Sequence, residues 1–165
     1  FEEDAERCAT AYIFGTGHVG KEVAKVLKFV GFTTVVLDDR PEFASAERFP
    51  DADGIVILDD FAHAFKDIST DANSFIVIVT RGHSGDCDVL KQALDRPAAY
   101  VGMIGSRKKI AAIFDILREF GFSNADIARV HSPIGLAIGA ETPEEIAVSI
   151  AAEMILVRSQ LSKEQ

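Results

Sequence analysis

Apolar runs and amphipathic stretches alternate along this chain. Ala11-Tyr12-Ile13-Phe14 is apolar throughout, and Val19, Val23, Val26, Leu27 and Val30 then recur at helical spacing. Thr33 to Leu37 forms a second apolar run and Gly54 to Leu58 a short third. Between them lies a loop, Pro41 to Ala52, that carries Phe43, Arg48, Phe49 and Pro50. Asp59 to Asn73 reads as an exposed segment with one short helix. Ser74 to Val79 is apolar without alternation, as expected of a strand covered on both faces. A helix is predicted from Cys87 to about Leu94, with Asp86 as its N-cap. Tyr100 to Ile104 reads as a fifth strand despite Gly102. Ile110, Ile113, Phe114, Leu117 and Phe120 then mark a helix that stops at Gly121. A sixth strand is expected near Val130. Thr142-Pro143-Glu144-Glu145 is a capping box with proline at the first helical position. The helix behind it carries a stripe of Ile146, Ile150, Met154, Val157 and Leu161.

This alternation predicts an α/β fold: a doubly wound, mostly parallel, Rossmann-like sheet of about six strands with helices on both faces. No repeat, low-complexity segment or linker interrupts it, so residues 1–165 read as a single domain. At 165 residues and 48% hydrophobic, the chain has enough bulk for a sizeable core. Its formal charge of −9 argues against nucleic acid as a partner. No apolar run approaches the roughly 20 residues of a membrane span, and no signal peptide is visible. Cys8 and Cys87 lie far apart without C-x-x-C spacing, which points to a reducing, cytoplasmic setting. The first residue is Phe1 rather than Met, and the expectation is a part of a longer protein.

Chemistry is expected where ligands bind in such sheets, outside the carboxyl ends of the strands. GTGHVG, Gly15 to Gly20, follows the first strand and opens the first helix, the context in which G-x-G-x-x-G carries meaning. Gly15 would make the tight turn, Gly17 would admit a pyrophosphate close to the backbone, and Gly20 would let helix and strand pack. The helix N-terminus would present free N–H groups to the phosphates. The second strand ends in Asp38-Asp39-Arg40, placing an acidic residue about 20 positions on, where it would bind a ribose diol. His18, inside the turn, either contacts ligand or faces solvent.

Three further loops open on the same edge: Thr80-Arg81-Gly82-His83, Gly105-Ser106-Arg107-Lys108-Lys109 and His131-Ser132-Pro133-Ile134-Gly135. With Ser106 as N-cap, Arg107, Lys108 and Lys109 fill a first helical turn, where cations oppose the helix dipole. A bound anion reverses that penalty; alternatively the side chains point into water. Arg81 and His83 either meet a ligand's phosphate or carboxylate or tie their loop to Asp86 or Asp88. His18, His83 and His131 share an edge but show no metal-binding spacing, so no metal is assigned. Cys87 beside Asp86 and Asp88 reads as a small packed residue rather than a nucleophile.

Taken together, GTGHVG, LDDRPEF with RFP after it, TRGH, YVGMIGSRKK and HSPIGLAIGAETPEEIAVSIAAE resemble the C-terminal Rossmann domain of the XdhC/CoxI family. The resemblance runs from about Ala11 to Arg158. It implies an accessory protein of xanthine dehydrogenase and related molybdenum hydroxylases. Such a protein binds the molybdenum cofactor (molybdopterin), protects it while a cysteine desulfurase exchanges an oxo for a sulfido ligand, and delivers it. By that resemblance the partners are a molybdenum hydroxylase and a cysteine desulfurase, and the domain is not a stand-alone enzyme. The family's N-terminal, cysteine-containing domain is absent, so sulfur handling is not assigned to this chain. Ala137 also stands where the family pattern commonly has Asp.

Under this reading Gly15, Gly17, Gly20, Ser106, Arg107 and Lys108 would hold a phosphate-bearing ligand, with His18 a candidate contact beside them, while Arg81, His83 and His131 line the site. Two alternatives stay open. One is an NAD(P)-dependent oxidoreductase domain in which Asp38 binds the adenosine ribose, NAD(P) or FAD being the alternative cofactors. The other is a nucleotide-sensing regulatory domain without turnover. The apolar stripe of the final helix serves either the sheet or a homodimer contact.

Overall fold

The computed structural model describes residues 8–164 and contains one six-stranded sheet in which every pairing is parallel. The strands are β1 (Thr10–Phe14), β2 (Thr33–Asp38), β3 (Gly54–Ile57), β4 (Ser74–Ile78), β5 (Tyr100–Met103) and β6 (Val130–His131). Their spatial order is β3-β2-β1-β4-β5-β6, the doubly wound Rossmann arrangement. From β1 the chain first moves outward to β2 and β3, then crosses back to β4 and proceeds the other way. The reversal leaves a crevice between the carboxyl ends of β1 and β4, whose register sets Phe14 beside Ile78.

Helices cover both faces. On one, α1 (His18–Phe29) and the long α5 (Pro143–Glu164) bury Val23, Leu27, Ala147, Ile150 and Met154 against Ile13, Val36, Phe75 and Val77. On the other, α2 (His83–Leu94), α3 (Arg107–Glu119) and α4 (Asn124–Ala128) bury Leu90, Ala93, Ile113, Leu117 and Ile127 against Phe14, Leu37, Ile76, Ile78 and Met103. Alternate residues of the inner strands thus feed two separate cores, which explains why β4 reads as apolar without alternation. The capping box of α5 forms as expected, Glu145 Oε1 accepting from the Thr142 N–H and the Glu145 N–H donating to Thr142 Oγ1. No described helix is long and apolar enough to cross a membrane.

Three details differ from the sequence reading. The segment 59–73, expected to be exposed, buries Phe61, Ala64 and Phe65 in the core, with Phe65 packed on Phe14. Helix α2 begins at His83, a full turn before Cys87, with Gly82 rather than Asp86 at its N-cap. Asp86 lies instead inside the first turn and faces inward, held by the end of β4. Helix α4 is too short to show a hydrophobic period, and it is fixed at its start by a Ser123–Asp126 capping box.

Candidate functional site

The glycine turn follows β1 and is shaped by close backbone packing. Gly15 has φ +117°, and a Cβ there would lie 2.3 Å from the Val79 carbonyl oxygen on β4's continuation. A Cβ on Gly20 would lie 2.1 Å from the Gly15 carbonyl oxygen, so this glycine sets how closely α1 sits on β1. Gly17 differs, because nothing lies within 4 Å of where its Cβ would be. It faces open space at the first turn of α1, and His18 beside it is exposed.

Helix α1 starts at Gly17 and α2 at Gly82, both without a side-chain cap. Every other helix or 3-10 turn among the described residues starts under a capping oxygen, from Asp60, Ser106, Ser123 or Thr142. The two uncapped starts follow the adjacent strands β1 and β4, on either side of the crevice. Their first N–H groups and aligned dipoles therefore face the place where the topology puts a ligand.

Around the turn stands a shell of arginines. Asp38, at the end of β2, is 1% exposed and accepts from the Thr16 N–H (2.9 Å), the Thr16 hydroxyl (2.7 Å) and Arg40 Nη2 (3.1 Å) through Oδ2. Burial alone would raise its carboxyl, but Arg40 and Thr16 hold it well below the ordinary aspartate range. Arg81, half exposed, crosses the crevice from β4 to reach Asp39 at 3.0 Å and Asp38 at 3.6 Å. It does not pair with Asp86 or Asp88, the alternative its neighbours in sequence suggested. Arg48 donates to the carbonyls of Thr16 and Phe43 and clamps the 41–52 loop over the glycine turn.

On the other side of the crevice, Asp86 is fully buried and joins three elements. It accepts from the Thr80 N–H (3.0 Å), from the Thr80 hydroxyl (2.5 Å), and from Lys109 on α3. Burial pushes its carboxyl up, against the opposing pull of Lys109 and Thr80. Lys109 is thereby turned inward, while Arg107 and Lys108 stay exposed and form no ion pair among the described residues. Ser106 is the N-cap the sequence indicated, accepting from the Lys109 N–H at 3.2 Å. His83 opens α2 and is exposed. Cys87, one residue past Asp86, is buried, and burial pushes its thiol up.

His131 belongs to a different cluster, at the end of β6 under α5. Its ring stacks on Tyr100 with centroids 4.5 Å apart, and Nδ1 lies 3.7 Å from Glu153 Oε1. The same oxygen accepts from the Tyr100 hydroxyl (2.5 Å) and the Gly135 N–H (3.1 Å). Burial alone would raise Glu153, yet the His131, Tyr100 and Gly135 contacts hold it below the ordinary glutamate range. The cluster fastens the loop after β6 to α5. His18, His83 and His131 are not part of any group of metal-ligating side chains among the described residues.

Of the residues singled out from sequence, Gly15, Gly17, Gly20, Asp38 and Arg81 come together at the crevice. Ser106, Arg107 and Lys108 line the next strand end, with His131 beyond them. Sequence reasoning missed the roles of Thr16, Arg48, Asp86, Lys109, Tyr100 and Glu153. A groove of about 440 Å³ opens beside the crevice, lined by Asp39, Phe61, Thr80, Arg81 and Gly82 and by no residue of the glycine turn. A more apolar one of about 390 Å³ lies by Ile104, Gly105, Pro133, Leu136 and Ile138. Another groove of about 440 Å³, among Lys91, Arg96 and Phe120, lies toward the C-terminal ends of α2 and α3, away from this edge. Two uncapped helix starts and Arg81, itself paired with Asp39, stand at the crevice, an arrangement that can hold an anion.

The comparisons with known proteins agree with this architecture. A crystal structure of a xanthine dehydrogenase from Bacillus halodurans superposes with a TM-score of 0.79 at 31% identity, covering 93% of this chain and 43% of that one. A probable xanthine dehydrogenase subunit from Bacillus subtilis is 28% identical over 91% of this chain and 43% of its own length. The molybdenum cofactor insertion chaperone PaoD of Escherichia coli is 21% identical over 96% of this chain and 43% of its own. The chain spans less than half the length of the curated relatives it matches, between 27% and 43%. Residues 11–154 match the XdhC Rossmann domain, and with most of its length accounted for in this way the chain belongs to the XdhC family.

Proposed function

We propose that this domain binds the molybdenum cofactor as an accessory in the maturation of molybdenum hydroxylases of the xanthine dehydrogenase type. The observation that carries the reading is the pair of uncapped helix starts, at Gly17 and Gly82, flanking the crevice. A terminal phosphate is a ligand of the right kind for such orphan N–H groups. The relative named as a cofactor insertion chaperone supports the choice of ligand.

The residues fit the group. Open space at Gly17 admits a phosphate against the backbone. Arg107 and Lys108, exposed and without ion-pair partners among the described residues, add charge at the next helix start. When bound, the cofactor supplies a redox-active molybdenum centre for the recipient enzyme. The chain's own part would be to bind and orient: the α1 N–H groups would hold the phosphate, Arg81, paired with Asp39, would face it across the crevice, and the apolar loop after β6 would shield the ligand from water. Asp86 and Lys109 keep the starts of α2 and α3 in register while this happens.

Anaerobic thermal shift tests the reading. The molybdenum cofactor should raise the midpoint, and the rise should shrink when Arg107 and Lys108 are both changed to alanine. A rise with NAD(H) and none with the cofactor overturns it.

A further inference from the structure

In dinucleotide-binding sheets the acidic residue ending the second strand reads a ribose diol, which requires a carboxylate oxygen facing the ligand. Asp38 occupies that position, but its carboxylate is buried and taken up by the glycine turn and by Arg40, with Arg81 Nη1 3.6 Å from Oδ1. Oδ2 already accepts from the Thr16 N–H, the Thr16 hydroxyl and Arg40 Nη2. Oδ1 accepts from the Arg40 N–H at 3.1 Å and from Arg40 Nε at 3.2 Å. A carboxylate offers about four lone-pair directions, and these donors fill them. The side chain is 1% exposed, so a ribose hydroxyl finds neither a free acceptor nor a path to one.

Arg40 is itself held in place. Its guanidinium lies 4.0 Å above the Phe43 ring, and Arg48 packs on the same ring at 5.2 Å while bonded to the glycine turn. The 41–52 loop therefore presses Arg40 onto Asp38, and what the end of β2 offers a ligand is a guanidinium-capped acid.

We propose that Arg40 is a specificity-determining residue: by saturating Asp38 it prevents the domain from reading a ribose diol, and so restricts the glycine turn to phosphate-bearing ligands that need no such contact. This rests on the reading that the glycine turn is the ligand site. It does not depend on which phosphate-bearing ligand is native.

The test is calorimetric titration of NAD⁺ into the wild-type chain, Arg40→Ala and Arg40→Met, the methionine keeping an apolar stem against Phe43. The wild type should bind NAD⁺ with a Kd weaker than about 1 mM. Freed of its clamp, Asp38 should accept the diol, and NAD⁺ affinity should rise by about tenfold or more in the variants. The gain should disappear with the 2′-deoxyadenosine analogue of NAD⁺. A folded variant with unchanged NAD⁺ affinity, or a gain that the deoxy analogue retains, overturns the proposal. If neither variant folds, the wild type still decides: NAD⁺ binding at about 100 μM or tighter that weakens with the deoxy analogue contradicts it, and weak binding to both supports it. None of these readings involves the molybdenum cofactor, so this proposal and the proposed function fail separately.

Discussion

Replacing the three glycines of the turn one at a time should separate fold from ligand binding. Gly20→Ala puts a carbon 2.1 Å from the Gly15 carbonyl oxygen, a backbone atom that no rotamer change can move. Helix α1 must then retreat by about 1 Å, loosening Val23, Ala24 and Leu27 from the sheet. Overpacking of this kind costs about 1–3 kcal/mol and more against rigid backbone. The better helix propensity of alanine offsets about 1 kcal/mol of that. A net loss of about 2 kcal/mol or more is expected. Gly15→Ala should be worse, because φ +117° adds strain of about 1–3 kcal/mol to a 2.3 Å contact. Gly17→Ala meets nothing within 4 Å at φ −74°. It loses only a favourable N-cap residue, about 0.5–1 kcal/mol. Urea unfolding followed by far-UV circular dichroism measures all three with one slope assumption. Destabilisation by Gly17→Ala equal to that by Gly20→Ala, or a neutral Gly20→Ala, would refute this assignment of roles.

Three other expectations concern the supporting residues. Lys109→Met leaves Asp86 buried without its cation and should cost about 3 kcal/mol, with most of it restored in the Asp86→Asn/Lys109→Met double variant; equal losses in single and double variants by urea unfolding would refute the pairing. Asp38 is held well below its ordinary value of 3.8, so its stabilising contribution is present above about pH 4 and lost as pH falls further. Accordingly the destabilisation by Arg40→Ala in urea titrations should be largest at neutral pH and shrink toward pH 2; a penalty independent of pH counts against the clamp. With Cys8 exposed and Cys87 buried, an aromatic disulfide reagent should titrate one thiol in the native protein and a second only after denaturation; two fast thiols would contradict the packing.

Much of the fold is legible in the sequence because its signals are local. The unalternating run Ser74 to Val79 can only be comfortable between two helical layers. Gly15 and Gly20 stand where strand, turn and helix need them, and Thr142 with Glu145 announces the last helix. The start of α2 was hidden for a physical reason. Gly82-His83-Ser84-Gly85 has the composition of a loop, and Asp86 looks like a cap until β4 is seen to claim it. Contacts between residues far apart in sequence left no trace in spacing. Lys109 and Asp86 are 23 residues apart, Tyr100 and Glu153 are 53 apart, and Arg48 reaches back 32 to Thr16. Asp38 shows the same limit most sharply. Its position was readable, but its orientation depends on Thr16 and on a loop that folds Arg40 over it.

Whether this domain carries the molybdenum cofactor at its glycine turn can be measured directly. The chain is produced in a host that makes the cofactor and purified anaerobically, and bound molybdenum is quantified together with the fluorescent oxidation product of the pterin. Wild type should retain both in a fixed ratio to protein. Gly17→Val, whose side chain fills the open space at the turn, should fold and retain neither. Equal loading of wild type and Gly17→Val, or no loading of the wild type, contradicts the account.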